Sequence, residues 1–263
     1  MNALNRSGVN LHYSVNGNPE GQALVFSNSL GTDFRIWDQV VARLPESLRI
    51  VRYDKRGHGL SDLGKTDWGM ADHVADLAGL LDHLNVRDAV VCGLSVGGMI
   101  TQGLAAERPD LVKAMILCDT GAKIGTPDMW QQRVQAVRAN GSESMADAVM
   151  ERWFTAEFRE SDMAFPIWRN MLCRTTAEGY ARTCQAIADT DLIESTSRLR
   201  MPCLGICGDN DLATPPDLVR ETVGLVPGAM FQLIRNAGHI PCVEQPDATA
   251  AVIKGFLADL QVI

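Results

Sequence analysis

The 263-residue chain is 46% hydrophobic and 21% charged, the balance of a globular domain, and contains no apolar run long enough to span a bilayer. A formal net charge of −8 without a basic run argues against a nucleic-acid partner. It also means that an anionic ligand would need a local arginine against the overall field.

The seven cysteines are odd in number and mostly lie inside apolar runs, so they read as reduced core residues and not as a disulfide framework. Cys203 and Cys207 share one face of a predicted strand, but no second Cys/His pair accompanies them and no metal is expected. Met1 to Asn5 runs into polar sequence with no apolar signal core, so a cytoplasmic location is expected.

In chain order, Val9 to Asn16 alternates and ends at the turn signal Asn16-Gly17-Asn18-Pro19, which predicts an edge hairpin strand. Ala23 to Phe26 is a short apolar run and predicts a central strand, followed by Ser27-Asn28-Ser29-Leu30-Gly31-Thr32. Helical spacing covers Trp37 to Leu44 up to Pro45. Leu48 to Tyr53 predicts another strand, and Met70 to Leu84 an amphipathic helix with Val74, Leu77, Leu80, Leu81 and Leu84 on one face. Ala89 to Cys92 and Ala114 to Cys118 are further strands around a helix from Met99 to Ala106. Strands alternating with helices predict a mostly parallel sheet covered on both faces.

From Gly121 to Glu194 the strand-like runs vanish and helical spacings dominate, among them Met145, Ala148, Val149 and Arg152. Three of the five tryptophans (Trp130, Trp153, Trp168) and five of the eleven methionines fall here. The expected organisation is an α/β core over 1–120 and 196–263, with 121–195 a helical cap over the sheet's carboxyl edge. Most of the cap's large apolar residues are expected to fill its own small core, and some to line an adaptable apolar pocket. The strand and helix rhythm resumes with Pro202 to Cys207, Asp217 to Leu225, Ala229 to Ile234 and the closing helix Pro246 to Leu260.

Gly93-Leu94-Ser95-Val96-Gly97 is G-x-S-x-G between a predicted strand and a predicted helix. A serine on so tight a turn needs small neighbours two positions away, which Gly93 and Gly97 supply. A serine hydroxyl is a weak nucleophile until a base takes its proton. Of the five histidines, His239 lies in a glycine-flanked loop directly after the last strand and is the candidate base. His12 alternates on an edge strand, His58 sits in a glycine loop, and His73 and His83 are expected to be solvated on an amphipathic helix. The base needs a carboxylate to hold its tautomer. Asp211, past the turn at Gly208, is the first choice, Asp209 would serve the turn itself, and Asp119 at the end of the preceding core strand competes. The oxyanion donors are expected to be the backbone N–H groups of Val96, at a helix start, and Leu30, in the loop after the early central strand.

These motifs, with Tyr53-Asp54-Lys55-Arg56-Gly57-His58-Gly59, resemble the α/β-hydrolase family over nearly the whole chain, which implies the α/β-hydrolase fold, a mostly parallel eight-stranded sheet with helices on both faces and a helical cap insertion. Many members carry His-Gly where this chain has Asn28-Ser29. Asn28 to Asp33 with Trp37, Gly93 to Gly98, and Ile124 to Trp130 look like the 3-oxoadipate enol-lactonases of aromatic catabolism. Cofactor-free haloperoxidases and other small ester or lactone hydrolases share the triad. The resemblance implies a Ser95–His239–Asp211 triad that opens a small anionic lactone without any cofactor, in a monomer or small homo-oligomer. On that reading Trp130 walls the ring, and Arg133, one helical turn on, either binds the carboxylate or is a solvated helix charge. Arg56 and His58 would bond the loops beneath the site. A ligand-binding receptor that keeps the triad is the alternative of another class.

Overall fold

The computed structural model describes residues 1–65 and 67–263, and among them the short apolar runs form the central strands of a sheet of eight. The eight are β1 (Asn2–Arg6), β2 (Val9–Gly17), β3 (Ala23–Ser27), β4 (Arg49–Tyr53), β5 (Ala89–Leu94), β6 (Val112–Cys118), β7 (Cys203–Gly208) and β8 (Met230–Ile234). They form one sheet in the order β1-β2-β4-β3-β5-β6-β7-β8. β2 runs antiparallel to both of its neighbours, and every pairing from β4 to β8 is parallel. The predicted hairpin forms, but its outer strand is β1, so β2 is not the sheet edge. Every residue of β3, β5 and β7 is buried, as expected for parallel strands between two helical layers.

The helices of the chain are α1 (Asp38–Val41), α2 (Met70–His83), α3 (Val96–Glu107), α4 (Pro127–Asn140), α5 (Ala146–Trp153), α6 (Ala156–Ser161), α7 (Phe165–Cys173), α8 (Ala177–Ala188), α9 (Ile193–Ser197), α10 (Pro216–Gly224), α11 (Pro241–Glu244) and α12 (Pro246–Asp259). The helix predicted from Trp37 to Leu44 shrinks to the single turn of α1. It follows a 3₁₀ turn over Phe34–Trp37, and the chain then leaves through the three-residue bonds Arg43 N–H to Val40 O and Leu44 N–H to Val41 O. Between β6 and β7 the chain is helical, with α4 packed along α8. None of the helices is long and apolar enough to cross a membrane, among the described residues.

His73 departs from expectation. It is 1% exposed, because Trp68, in the segment leading into α2, meets its ring edge-on at 4.8 Å. His83, the last residue of α2, is exposed.

Strand direction positions the site. Because β3 to β8 run parallel, the loops after β3, β5, β6, β7 and β8 all emerge at one edge of the sheet. β3 lies between β4 and β5, so the chain winds outward in both directions from that point. A crevice at such a reversal is where open α/β sheets bind ligands.

Candidate active site

Ser95 sits between β5 and α3 with φ 59° and ψ −121°, a conformation L-residues avoid. The turn is over-determined by its surroundings. The Ser95 N–H donates to Cys118 O at 3.0 Å, and Ser95 O accepts from the Gly98 N–H at 2.8 Å and from Thr120 Oγ1 at 2.6 Å. A Cβ on Gly93 would meet Gly97 O at 2.2 Å, and one on Gly97 would meet Ser27 O at 2.2 Å. Both glycines are therefore required by close approach, as their spacing about Ser95 predicts.

His239 lies in the loop after β8. Its N–H donates to Trp153 O of the α5 end at 2.8 Å, and its ring stacks on Trp153 at 6.5 Å between centroids. His239 Nδ1 is 2.9 Å from Asp211 Oδ2. The same carboxylate accepts from Thr214 Oγ1 at 2.7 Å and from the Ala213 and Thr214 N–H groups at 2.7 and 3.0 Å. Burial pushes Asp211 up, but the adjacent His239 and these donors outweigh it and leave its carboxyl below the usual range.

Asp119, the competing acid, is fully buried at the end of β6. Its Oδ1 accepts from the Gly208 N–H at 2.8 Å. Burial, then the charge of Asp211, push it well above the usual carboxylate range. Asp209 stays with its turn, accepting from Asn210 Nδ2 at 2.7 Å. Asp119, Asp211 and His239 have donor atoms within 4.8 Å of one another, a possible metal set by residue type. Both Asp211 oxygens accept hydrogen bonds within the protein, and one of them lies against the imidazole itself.

The loop after β3 is tied down by Asn28. Its Nδ2 donates to Tyr53 O at 2.8 Å and its Oδ1 accepts from Trp37 Nε1 at 3.0 Å, which gives the Asn28…Trp37 spacing a physical meaning. No hydrogen bond engages the Leu30 N–H among the described residues, and Val96 is the first residue of α3, where helix N–H groups lack intrahelical partners.

Ser29, Leu30, Ser95 and His239 line one cavity with Trp130, Arg133, Arg152, Trp153 and Tyr180 of the helices above. Trp130 is buried, its Nε1 donating to Ile124 O at 2.6 Å, and the Arg133 guanidinium lies over its ring at 5.1 Å. Of the tryptophans and methionines between β6 and β7, Met129, Trp130 and Trp153 reach this cavity, while Trp168, Met145, Met150, Met163 and Met171 do not.

Sequence reasoning missed Arg152. Burial, then the charge of Arg133, lower its guanidinium from the usual range. Neither arginine has a carboxylate partner among the described residues, whereas Arg138 and Arg169 pair with Glu178 and Asp147. The available signal was an arginine continuing the apolar helical row of Met145 and Val149. Arg56 and His58 lie elsewhere, beneath the loops, where Arg56 bonds Asp76 at 2.6 and 2.7 Å.

A parallel sheet of this order with a strained serine after β5 and a histidine after the last strand defines a hydrolase class, and the chain belongs to it. Residues 24–252 match the model of the alpha/beta hydrolase family. Two 3-oxoadipate enol-lactonases of Acinetobacter baylyi are similar, at 35% and 34% identity over 96% and 98% of this chain and 96% of each relative. The crystal structure of the enol-lactonase from Burkholderia xenovorans LB400 superposes with a TM-score of 0.94 at 36% identity, covering 98% of this chain and 100% of that one.

Proposed function

We propose that this enzyme hydrolyses 3-oxoadipate enol-lactone to 3-oxoadipate, with Ser95 as nucleophile, His239 as base and Asp211 as its orienting acid. The observation that carries the reading is the composition of one cavity. Ser95 and His239 share it with two arginines that have no carboxylate partner among the described residues, which suits an ester that is also an anion. The named relatives support the same substrate.

His239 takes the proton of Ser95 as its oxygen attacks the ring carbonyl. Asp211 holds the imidazole tautomer and offsets the imidazolium charge. The N–H groups of Leu30 and Val96 donate to the oxyanion. Collapse breaks the ring C–O bond, and His239 returns its proton to the enolate oxygen. Because the ester is cyclic, the leaving enol remains tethered to the acyl-enzyme and can ketonise there. Water, activated by His239, then releases the acyclic dicarboxylate. Arg133 and Arg152 hold the acetate arm of the lactone, and Trp130 walls the ring.

The test follows the loss of enol-lactone absorbance on adding enzyme, beside p-nitrophenyl acetate and a halogenation assay. Rapid lactone loss, abolished on the order of 10⁵-fold by Ser95→Ala, is expected. Turnover of simple esters or halogenation without lactone turnover would reject the substrate. A Ser95→Ala enzyme that retained activity would reject the mechanism. Lactone binding with no turnover of any ester would make the protein a receptor.

A further inference from the structure

Lys55 is 1% exposed, in the loop after β4. Its Nζ donates to Ser29 O at 2.5 Å and to Thr32 O at 3.4 Å, and it has no ion-pair partner among the described residues. A buried ammonium is costly, and one held by carbonyls alone calls for a reason beyond packing. The reason lies in which carbonyl it holds. Ser29 C=O and Leu30 N–H are the two ends of one planar peptide unit, so fixing the first aims the second. Ser29 O also accepts from the Thr32 N–H at 3.3 Å and from Thr32 Oγ1 at 2.9 Å, so three donors converge on it. A cation on the oxygen of an amide draws electron density from its nitrogen and strengthens the N–H as a donor, as in any polarised hydrogen-bond chain.

We propose that Lys55 is a positioning residue for the oxyanion hole, orienting and polarising the Ser29–Leu30 peptide so that the Leu30 N–H donates more strongly to the tetrahedral intermediate. The proposal rests on Leu30 serving as an oxyanion donor to an adduct of Ser95. Lys55 touches no substrate in this role, since it meets the peptide from the side opposite the N–H.

The charged and titratable groups acting on Lys55 are Asp33 of the loop after β3, Asp54 and His58 of its own loop, and His73 of α2. Burial lowers the ammonium to about 7, against the opposing pull of Asp54 and then Asp33. Burial also holds both histidines well below their ordinary value, so they stay neutral where Lys55 titrates. Loss of the Lys55 proton removes the cation from the peptide, which gives kcat an alkaline limb near neutrality.

The experiment compares wild type, Lys55→Met, Lys55→Arg and Ser95→Ala on a neutral ester, p-nitrophenyl acetate, which has no carboxylate to engage the arginines. Lys55→Met should lower kcat roughly tenfold to hundredfold with KM within about threefold, a part of the cost of deleting an oxyanion donor outright. It should lose the alkaline limb and weaken inhibition by a trifluoromethyl ketone, whose hemiketal oxyanion forms on Ser95, by the same factor as kcat/KM. Lys55→Arg, which keeps a cation, should recover part of kcat. In wild type the Leu30 amide resonance should move with pH through the Lys55 titration, and this measurement decides the matter even if Lys55→Met does not fold. An unchanged kcat in folded Lys55→Met, equal losses in kcat and ketone affinity that Lys55→Arg does not reduce at all, or a Leu30 resonance insensitive to pH would overturn the proposal. Persistent turnover in Ser95→Ala would overturn the mechanism beneath it instead, so the two failures are distinguishable.

Discussion

The floor and the roof of the cavity treat charge in opposite ways. On the floor, the polar groups of the His239–Asp211 pair are met by backbone N–H groups and a hydroxyl, and the elbow that presents Ser95 is tied to β6 and to Thr120. On the roof, Arg133 rests on the Trp130 face and Arg152 is lowered by burial and then by its neighbour's charge, with no carboxylate for either among the described residues. A floor built this way suits charge that develops during a reaction, because its dipoles need not move when the oxyanion forms. A roof whose cations have no carboxylate among the described residues suits charge that arrives with the ligand. If the proposed function holds, rate and recognition belong to different parts of the fold and should be separable by mutation.

The largest effect should come from the floor. Asp211→Asn leaves the hydrogen-bond geometry but favours the wrong imidazole tautomer, and kcat should fall on the order of 10⁴-fold. Asp119→Asn should change kcat less than about threefold, because burial already disfavours its charge and it bonds Gly208 instead of His239. The reverse ranking in steady-state assays would transfer the orienting role to Asp119.

Next in size, Arg133→Met and Arg152→Met should each raise KM for the anionic lactone roughly tenfold to hundredfold, the worth of a hydrogen bond to a charged group. KM for neutral p-nitrophenyl acetate should hardly move. If both substrates suffered equally, the roof would be packing and not recognition.

The smallest effect lies below the floor, where His58 and His73 are buried and held below their ordinary value of 6.5, first by burial and then by the charge of Lys55. Below that pH the unfolded chain binds protons that the folded chain resists, so stability must fall as pH falls. Each histidine contributes up to about 1.4 kcal/mol per pH unit in that window. Urea unfolding between pH 7 and 5 should show the slope, and His73→Leu should flatten it. An unchanged slope would mean that the histidine finds water or a partner as it charges.

Much of this was legible from local pattern. The glycines around Ser95, the loop position of His239 and the strand and helix alternation are consequences of backbone sterics and side-chain periodicity, which act over a few residues. His73 was misread because helical periodicity reports one apolar face, while Trp68 covers another from a segment outside the helix. Arg152 was visible only as an anomaly in an apolar row, since its significance depends on Arg133 and Ser95 sharing its cavity.

The sequence by itself determined the class of the sheet, the strained serine turn and the three loops that carry polar residues to its carboxyl edge, because each is encoded by neighbours in the chain. Only the tertiary structure decided which acid meets His239, which arginines have no carboxylate beside them among the described residues and which carbonyl receives Lys55. Those outcomes depend on distances between residues tens to hundreds of positions apart, and on the burial that makes an unpaired charge costly.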